Sequence, residues 1–134
     1  MSKVLIVEDD QFLSKMYAKK FQIAGFEVQL AGDGVDGLSK MRMFRPDIVL
    51  MDIMMPKLNG LDAISQAKAD DMIKAIPVIV LTNLSNTDDA TEAVKRGAIG
   101  YLVKSDYTPT QVVDKVKEQL SSPQPPVAAA SPTA

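Results

Sequence analysis

The sequence predicts an α/β chain built on a doubly wound, five-stranded parallel sheet, and three observations predict it. Short apolar runs alternate with amphipathic stretches five times, with run starts 20 to 30 residues apart. That alternation implies parallel strands joined by right-handed crossover helices on both faces. The runs Val4–Val7, Ile48–Met51 and Val78–Leu81 are continuously apolar, as strands covered on both faces require. Each of these runs also ends abruptly on a polar residue: Glu8, Asp52 and Thr82.

Taken in order, Val4–Val7 is the first strand and stops at Glu8-Asp9-Asp10. From about Gln11 to Ala24, Phe12, Leu13, Met16, Phe21 and Ile23 recur at helical spacing, and Gly25 stops the helix. Phe26–Ala31 alternates apolar and polar residues, a half-exposed strand at a sheet edge. Gly32-Asp33-Gly34 reads as a turn. Val35, Leu38, Met41 and Met43/Phe44 then mark the inner face of a second helix ending before Arg45-Pro46. The third strand, Ile48–Met51, delivers Asp52, and Pro56-Lys57-Leu58-Asn59-Gly60 carries the chain off the sheet. A third helix is expected from about Leu61 to Asp71, and Pro77–Thr82 is the fourth strand. Ser85-Asn86-Thr87-Asp88-Asp89 has the cap oxygens and acids of a helix start, and this fourth helix runs to Arg96, with Gly97 as its stop. Ile99–Val103 is the fifth strand and leads to Lys104. Thr108-Pro109 opens a last helix whose inner face is Val112, Val113, Val116 and Leu120. Residues 1–120 therefore form one domain. Residues 121–134 hold four prolines and no charge, the composition of a disordered Pro/Ala-rich tail or linker.

Composition limits the chemistry. A formal charge of −2 gives no electrostatic basis for direct nucleic-acid or membrane binding. Cysteine and histidine are both absent, which excludes disulfides, thiolate metal sites and imidazole general bases. Any chemistry must run on carboxylates, hydroxyls and amines. The amino-terminal run is short and followed by acids, so it is neither a signal peptide nor a membrane span. The expected location is the cytoplasm.

In doubly wound sheets, function collects outside the carboxyl ends of the strands. With the common strand order 2-1-3-4-5, the ends of strands 1, 3, 4 and 5 are neighbours. Glu8, Asp9, Asp10, Asp52, Thr82, Asn83 and Lys104 then converge, and the edge strand contributes nothing. Singly, each has an ordinary explanation: a helix cap for Asp10 or Thr82, a solvated turn for Asp52, a surface charge for Lys104. Together they form the ligand set of a hard cation, for which Mg2+ is the expected ion, with phosphate oxygens completing its shell. Asp52 can act as a nucleophile toward phosphorus, Lys104 can neutralise a phosphoryl group, and Thr82 can hydrogen-bond one of its oxygens.

The stretches Val7-Glu8-Asp9-Asp10, Asp47–Gly60, Leu81-Thr82 and Gly100-Tyr101-Leu102-Val103-Lys104 resemble a response-regulator receiver domain of two-component signalling, of the chemotaxis-type single-domain kind. The match covers roughly Lys3 to Leu120. The resemblance implies a flavodoxin-like (βα)5 fold and a phosphorylation-activated switch, not a turnover enzyme. It implies that Asp52 is the phosphoacceptor and that Asp9 and Asp52 ligate Mg2+ directly. Glu8 would act through water, and the Met54 backbone carbonyl would be a further ligand. Thr82 and Tyr101 would be the switch pair. The implied partners are a sensor histidine kinase or phosphotransfer protein as donor, an unidentified downstream protein, and a second copy of the chain on phosphorylation. The surface that changes would be that of the fourth helix, fifth strand and fifth helix.

Two positions leave the family pattern. Ser105 stands where proline usually follows the lysine in a cis peptide; a cis bond before serine would cost about 2.5–4 kcal/mol, so a trans, differently shaped loop is expected. Asn83 replaces a very small residue. Met54 and Leu84 are apolar and cannot orient a hydrolytic water, so a long-lived phosphoryl group is expected. Two other classes fit less well. An aspartyl-phosphate phosphatase generally needs a second aspartate where this chain has Met54. A flavin module needs a Ser/Thr/Gly phosphate loop where this chain has three acids.

Overall fold

In the computed structural model, the described residues are 2–83 and 87–121. The strands are β1 (Lys3–Val7), β2 (Glu27–Ala31), β3 (Ile48–Asp52), β4 (Val78–Thr82) and β5 (Gly100–Val103). The helices are α1 (Gln11–Ile23), α2 (Gly34–Phe44), α3 (Gly60–Lys68), α4 (Thr87–Lys95) and α5 (Pro109–Ser121). The sheet is wholly parallel with the order β2-β1-β3-β4-β5. This is the architecture the alternation of runs predicts. One face of the sheet packs Leu5, Val7, Val49, Met51, Val78 and Val80 with residues of α2, α3 and α4. The other packs Val4, Ile6, Ile48, Leu50, Ile79, Leu81 and Leu102 with Tyr17 and Phe21 of α1 and Val112, Val113 and Val116 of α5. Consecutive strand residues point to opposite faces, so a sheet sandwiched this way needs unbroken apolar runs. Every residue of β3 and β4 is buried, whereas β2 at the edge keeps Glu27 and Gln29 exposed.

Local capping follows the sequence closely. Asp10 accepts from Leu13 N at 3.1 Å, Asp33 from Asp36 N at 2.8 Å, and Asn59 from Asp62 N at 2.9 Å. Each short side chain satisfies a donor that the first helical turn leaves open. Thr108 caps α5 in the same way, its hydroxyl accepting from Gln111 N at 3.2 Å. The fourth helix starts at Thr87 with Asp88 and Asp89 in its first turn; Leu84, Ser85 and Asn86 lie outside the described residues. So do residues 122–134, on which the expectation of a tail or linker falls, while Ser121 belongs to α5.

Three expectations are corrected. The buried side of α1 is Ser14, Tyr17, Ala18 and Phe21, a stripe at i, i+3, i+4 and i+7. Phe12 and Ile23 lie off it and are 79% and 72% exposed. In α2, Leu38, Met41 and Phe44 are inside, while Val35 and Met43 face out. Finally, α3 ends at Lys68, not near Asp71. Asp70 starts a separate turn, its carbonyl accepting from Ile73 N and Lys74 N and its carboxylate from Met72 N at 2.9 Å. The Lys68 amine crosses that turn to the carbonyls of Lys74 and Ile76 at 3.0 and 2.9 Å. Asp70 thus draws into its own turn the amides a longer helix would need. Small shifts elsewhere, such as β2 starting at Glu27 and β5 at Gly100, move no functional residue.

Candidate functional site

The register of the sheet brings the polar strand ends together. Val7 pairs with Met51, so Glu8 emerges beside Asp52; Asp52 pairs with Leu81, and Thr82 with Val103, one residue short of Lys104. Glu8 and Asp52 thus stand level, and Thr82 and then Lys104 each lie one residue further along. The runs Val4–Val7, Ile48–Met51 and Val78–Leu81 that precede Glu8, Asp52 and Thr82 are apolar and buried. Glu8, Asp52 and Thr82 are 3%, 6% and 1% exposed. Polar groups buried this far must have partners.

The partners are close. Lys104 Nζ donates to Glu8 Oε1 at 2.8 Å and lies 3.4 Å from Asp52 Oδ2. The other oxygen of Asp52, Oδ1, accepts from Ile53 N at 2.8 Å. Glu8 Oε2 accepts from Asp10 N at 3.2 Å. One cation therefore joins two buried carboxylates. Burial opposes the charge on Lys104, but the hydrogen bond to Glu8 and the charges of Asp52 and Glu8 outweigh it and raise the amine's pKa above its ordinary value. Burial also raises the pKa of Glu8; the Lys104 hydrogen bond opposes that rise, and the Asp52 charge adds to it.

Glu8, Asp9 and Asp52 each offer a carboxylate oxygen, and these oxygens lie within 4.8 Å of one another. An all-oxygen, multiply anionic donor set without nitrogen or sulfur suits a hard cation such as Mg2+ and disfavours the softer transition metals. Asp9 is the exposed member of the three. Its pKa is raised by partial desolvation, by a hydrogen bond with Glu8 and by the Glu8 charge. Asp10, the third acid of the run, instead caps α1.

A pH prediction follows from these directions. When folding raises a carboxyl pKa, the folded state binds that proton more readily than the unfolded chain does. The contribution of Glu8 and Asp9 to stability is therefore complete in acid and is lost as pH rises through their folded pKa values. At about pH 7 the metal-free protein carries a repulsion that Asp9→Asn relieves. That variant is expected to melt a few degrees above the metal-free wild type, with the difference vanishing toward about pH 4. Mg2+ should raise the melting temperature of the wild type and not of the variant. Thermal melts with Mg2+ or a chelator at both pH values check this; a metal-free variant less stable than wild type at neutral pH contradicts it.

Thr82 donates from Oγ1 to Asn83 O at 3.2 Å. Asn83 is exposed just beyond it, and Tyr101 is half-buried against the α2–α3–α4 core. Met54 follows Asp52 by two residues with its side chain 58% exposed. The described residues contain no cis peptide, and Lys104–Asp106 forms a single 3-10 turn. The loop around Ser105 is therefore trans.

The support beneath Asp52 was not legible as function in the sequence. The Gly60 amide donates to the Ile53 carbonyl at 2.8 Å. A Cβ at Gly60 would press on the Asp52 carbonyl oxygen and stand 2.9 Å from Ile53 Cα. The start of α3 thus lies directly against the residue carrying the central carboxylate. Lys57, within the same loop, takes a left-handed conformation with φ 66°, which a side-chain-bearing residue adopts only when its surroundings fix it.

The fold and this cluster define a class before any relative is considered: a doubly wound α/β domain with an acidic, lysine-bridged site at its strand ends. The family model for the response regulator receiver domain matches residues 4–117, and the chain belongs to that family. It is 33% identical over 118 residues to the DNA-binding response regulator MtrA of Mycobacterium tuberculosis, covering 88% of this chain and 50% of that protein. Among solved structures it is similar to the chemotaxis response regulator CheY4 of Vibrio cholerae, with a TM-score of 0.80 and 30% identity over 88% of this chain and 98% of that one. The Francisella response regulator 1452 receiver domain superposes with a TM-score of 0.82 at 26% identity, covering 92% of this chain and 100% of that one. The chain spans about half the length of the MtrA relatives it matches. As a receiver domain it is a component of two-component signalling. Among the described residues, no helix is long and apolar enough to cross a membrane.

Proposed function

We propose that this chain is a phosphorylation-activated switch in which Asp52 accepts a phosphoryl group from a histidine of a sensor kinase or phosphotransfer protein. The observation that carries the reading is the joint placement of Asp52, Glu8, Asp9 and Lys104: a buried carboxylate bridged to a cation and flanked by two further acids. In the transfer, an Asp52 carboxylate oxygen attacks phosphorus. The P–N bond to the donor imidazole breaks as the P–O bond forms, and the imidazole takes a proton from solvent. Histidine is absent from these 134 residues, so the donor group lies outside them, on a phosphohistidine or a small acyl phosphate.

Asp9 and Asp52 would hold Mg2+, with the Met54 carbonyl as a further ligand and Glu8 acting through water. When bound, the ion neutralises charge on the phosphoryl oxygens. Lys104 sits where it can leave Asp52 and pair with a phosphoryl oxygen, moving little because it already faces the carboxylate. Thr82, one strand over, can turn its hydroxyl from Asn83 O toward that group. The volume it vacates would let the half-buried ring of Tyr101 turn inward. The charge at Asp52 thereby biases an equilibrium between two arrangements of the α4–β5–α5 surface, which a downstream protein or a second copy of the chain reads.

Incubation with acetyl phosphate should give one stable mass increment of a phosphoryl group in Mg2+ and none in excess chelator. Labelling that is indifferent to the chelator contradicts the metal assignment. Met54 is exposed and apolar, so it offers no hydrogen bond to an attacking water. The phosphoryl group is therefore expected to persist, and Met54→Asn should shorten its half-life several-fold. A half-life unchanged by that substitution would remove this explanation.

A further inference from the structure

The Gly32-Asp33-Gly34 turn is far from Asp52 in sequence and has no place in the chemistry above, yet the structure ties it to the loop that leaves Asp52. The Gly34 amide donates to the Leu58 carbonyl at 3.1 Å. A Cβ on Gly34 would collide with that carbonyl oxygen and stand 2.9 Å from Leu58 Cβ and 3.0 Å from its carbonyl carbon. Much of that obstruction is backbone, so it can be relieved only by moving the loop or the helix. One turn later Gly37 packs closely on Val7, where an added Cβ would lie 3.1 Å from both methyl groups, so α2 is seated tightly on the sheet beside this contact. Next to Gly34, Asp33 caps α2 with Oδ1, and its Oδ2 lies 3.7 Å from Lys57 Nζ. Lys57 is the left-handed residue of the same loop. At the loop's far end, Gly60 is seated on Asp52 and Ile53. The carboxyl half of the Ile53–Asn59 loop is thus held from two sides: Lys57 and Leu58 by Asp33-Gly34 on α2, and the loop's end by Gly60 against the backbone of Asp52 and Ile53.

We propose that Gly34, with Asp33, is a positioning residue for the metal site: the amino terminus of α2 clamps the β3–α3 loop and so sets where Asp52 and the Met54 carbonyl stand relative to Asp9. This rests on the proposed Mg2+ site. A hard cation with short, regular oxygen contacts tolerates little displacement of its ligands. A shift forced on Leu58 therefore reads out as lost affinity. Gly32 provides the internal control. It lies in the same turn, and a Cβ there meets nothing within 4 Å.

The test compares Gly34→Ala, Gly32→Ala and Asp33→Asn for Mg2+ affinity by calorimetry, for metal-free stability by urea unfolding, and for the amide resonances of residues 52–59 by NMR. Gly34→Ala is expected to weaken Mg2+ binding about tenfold relative to Gly32→Ala and to move the 52–59 resonances in the metal-free protein. Asp33→Asn keeps the capping oxygen and drops the pairing charge, and should weaken binding about threefold with near-normal stability. If the wild type binds no Mg2+, the metal reading itself fails. If the wild type binds and both Gly34→Ala and Asp33→Asn match Gly32→Ala in affinity, the clamp is refuted. Should Gly34→Ala not fold, Asp33→Asn decides alone: unchanged affinity refutes the clamp.

Discussion

Asp52→Asn is expected to reduce labelling by acetyl phosphate in Mg2+ to background while leaving the fold intact. The substitution keeps the shape of the side chain and an oxygen that can accept from Ile53 N at 2.8 Å. It removes the charge that attacks phosphorus and one of the three clustered carboxylates. It also removes one of the two acids that share Lys104, yet Glu8 remains paired at 2.8 Å, so the site stays neutralised. Loss of labelling with unaltered unfolding behaviour is therefore the expected pair of results. Labelling near the wild-type level would mean that another residue accepts the group.

Lys104→Ala is expected to have the opposite balance, with a large effect on stability as well as on signalling. The amine joins the side chains of Glu8 and Asp52, which are only 2% and 9% exposed, and is itself 18% exposed. Removing it leaves two buried carboxylates facing each other without a counter-charge. Breaking a buried ionic pair by deleting one partner costs about 3–5 kcal/mol; the residual exposure of Lys104 argues for roughly 2–3 kcal/mol on that scale. The sign with pH is defined. A lysine whose pKa is raised in the fold contributes stability that is fully present below its unfolded value and is lost as pH rises through the folded one. The wild-type advantage over the variant should therefore hold across neutral pH and shrink in strong alkali. It should also shrink in acid, where Glu8, with its raised pKa, takes up a proton and needs no counter-charge. Added Mg2+ should recover part of the loss. Urea unfolding of both proteins at acidic, neutral and strongly alkaline pH, and at neutral pH with added Mg2+, measures these effects, and a variant as stable as wild type at neutral pH would contradict the buried network.

How much of this was legible in the sequence differs from residue to residue. The continuous apolar runs of β1, β3 and β4 declared strands buried on both faces, and the polar residues ending them declared the site. Nothing except a parallel sheet places Glu8, Asp52, Thr82 and Lys104 on neighbouring ends. Capping by Asp10 and Thr108 is chemistry within one helical turn, which a local reading can see. The exposed Phe12, Ile23, Val35 and Met43 were misassigned for a clear reason. Apolar residues crowd both sides of α1 and α2, and composition does not say which side meets the sheet. The end of α3 was missed because Asp70 competes for backbone amides that helical periodicity alone would assign to a longer helix. Gly34 and Gly60 read only as turn formers. Their necessity comes from the backbones of Leu58 and Asp52 pressing on them, contacts that exist only once α2 and α3 have docked. Lys57, an unremarkable surface lysine in the sequence, holds a left-handed conformation in the same loop.

The central claim is that Asp52, and no other acid of the cluster, carries the phosphoryl group. Reduction of the acetyl-phosphate-treated protein with borohydride converts an aspartyl phosphate to homoserine, and peptide mass spectrometry then locates it. Homoserine is expected at position 52 alone, formed in Mg2+ and absent with chelator. Modification at Glu8, Asp9 or Asp10, or a phosphoryl group on a hydroxyl that survives reduction, would contradict it.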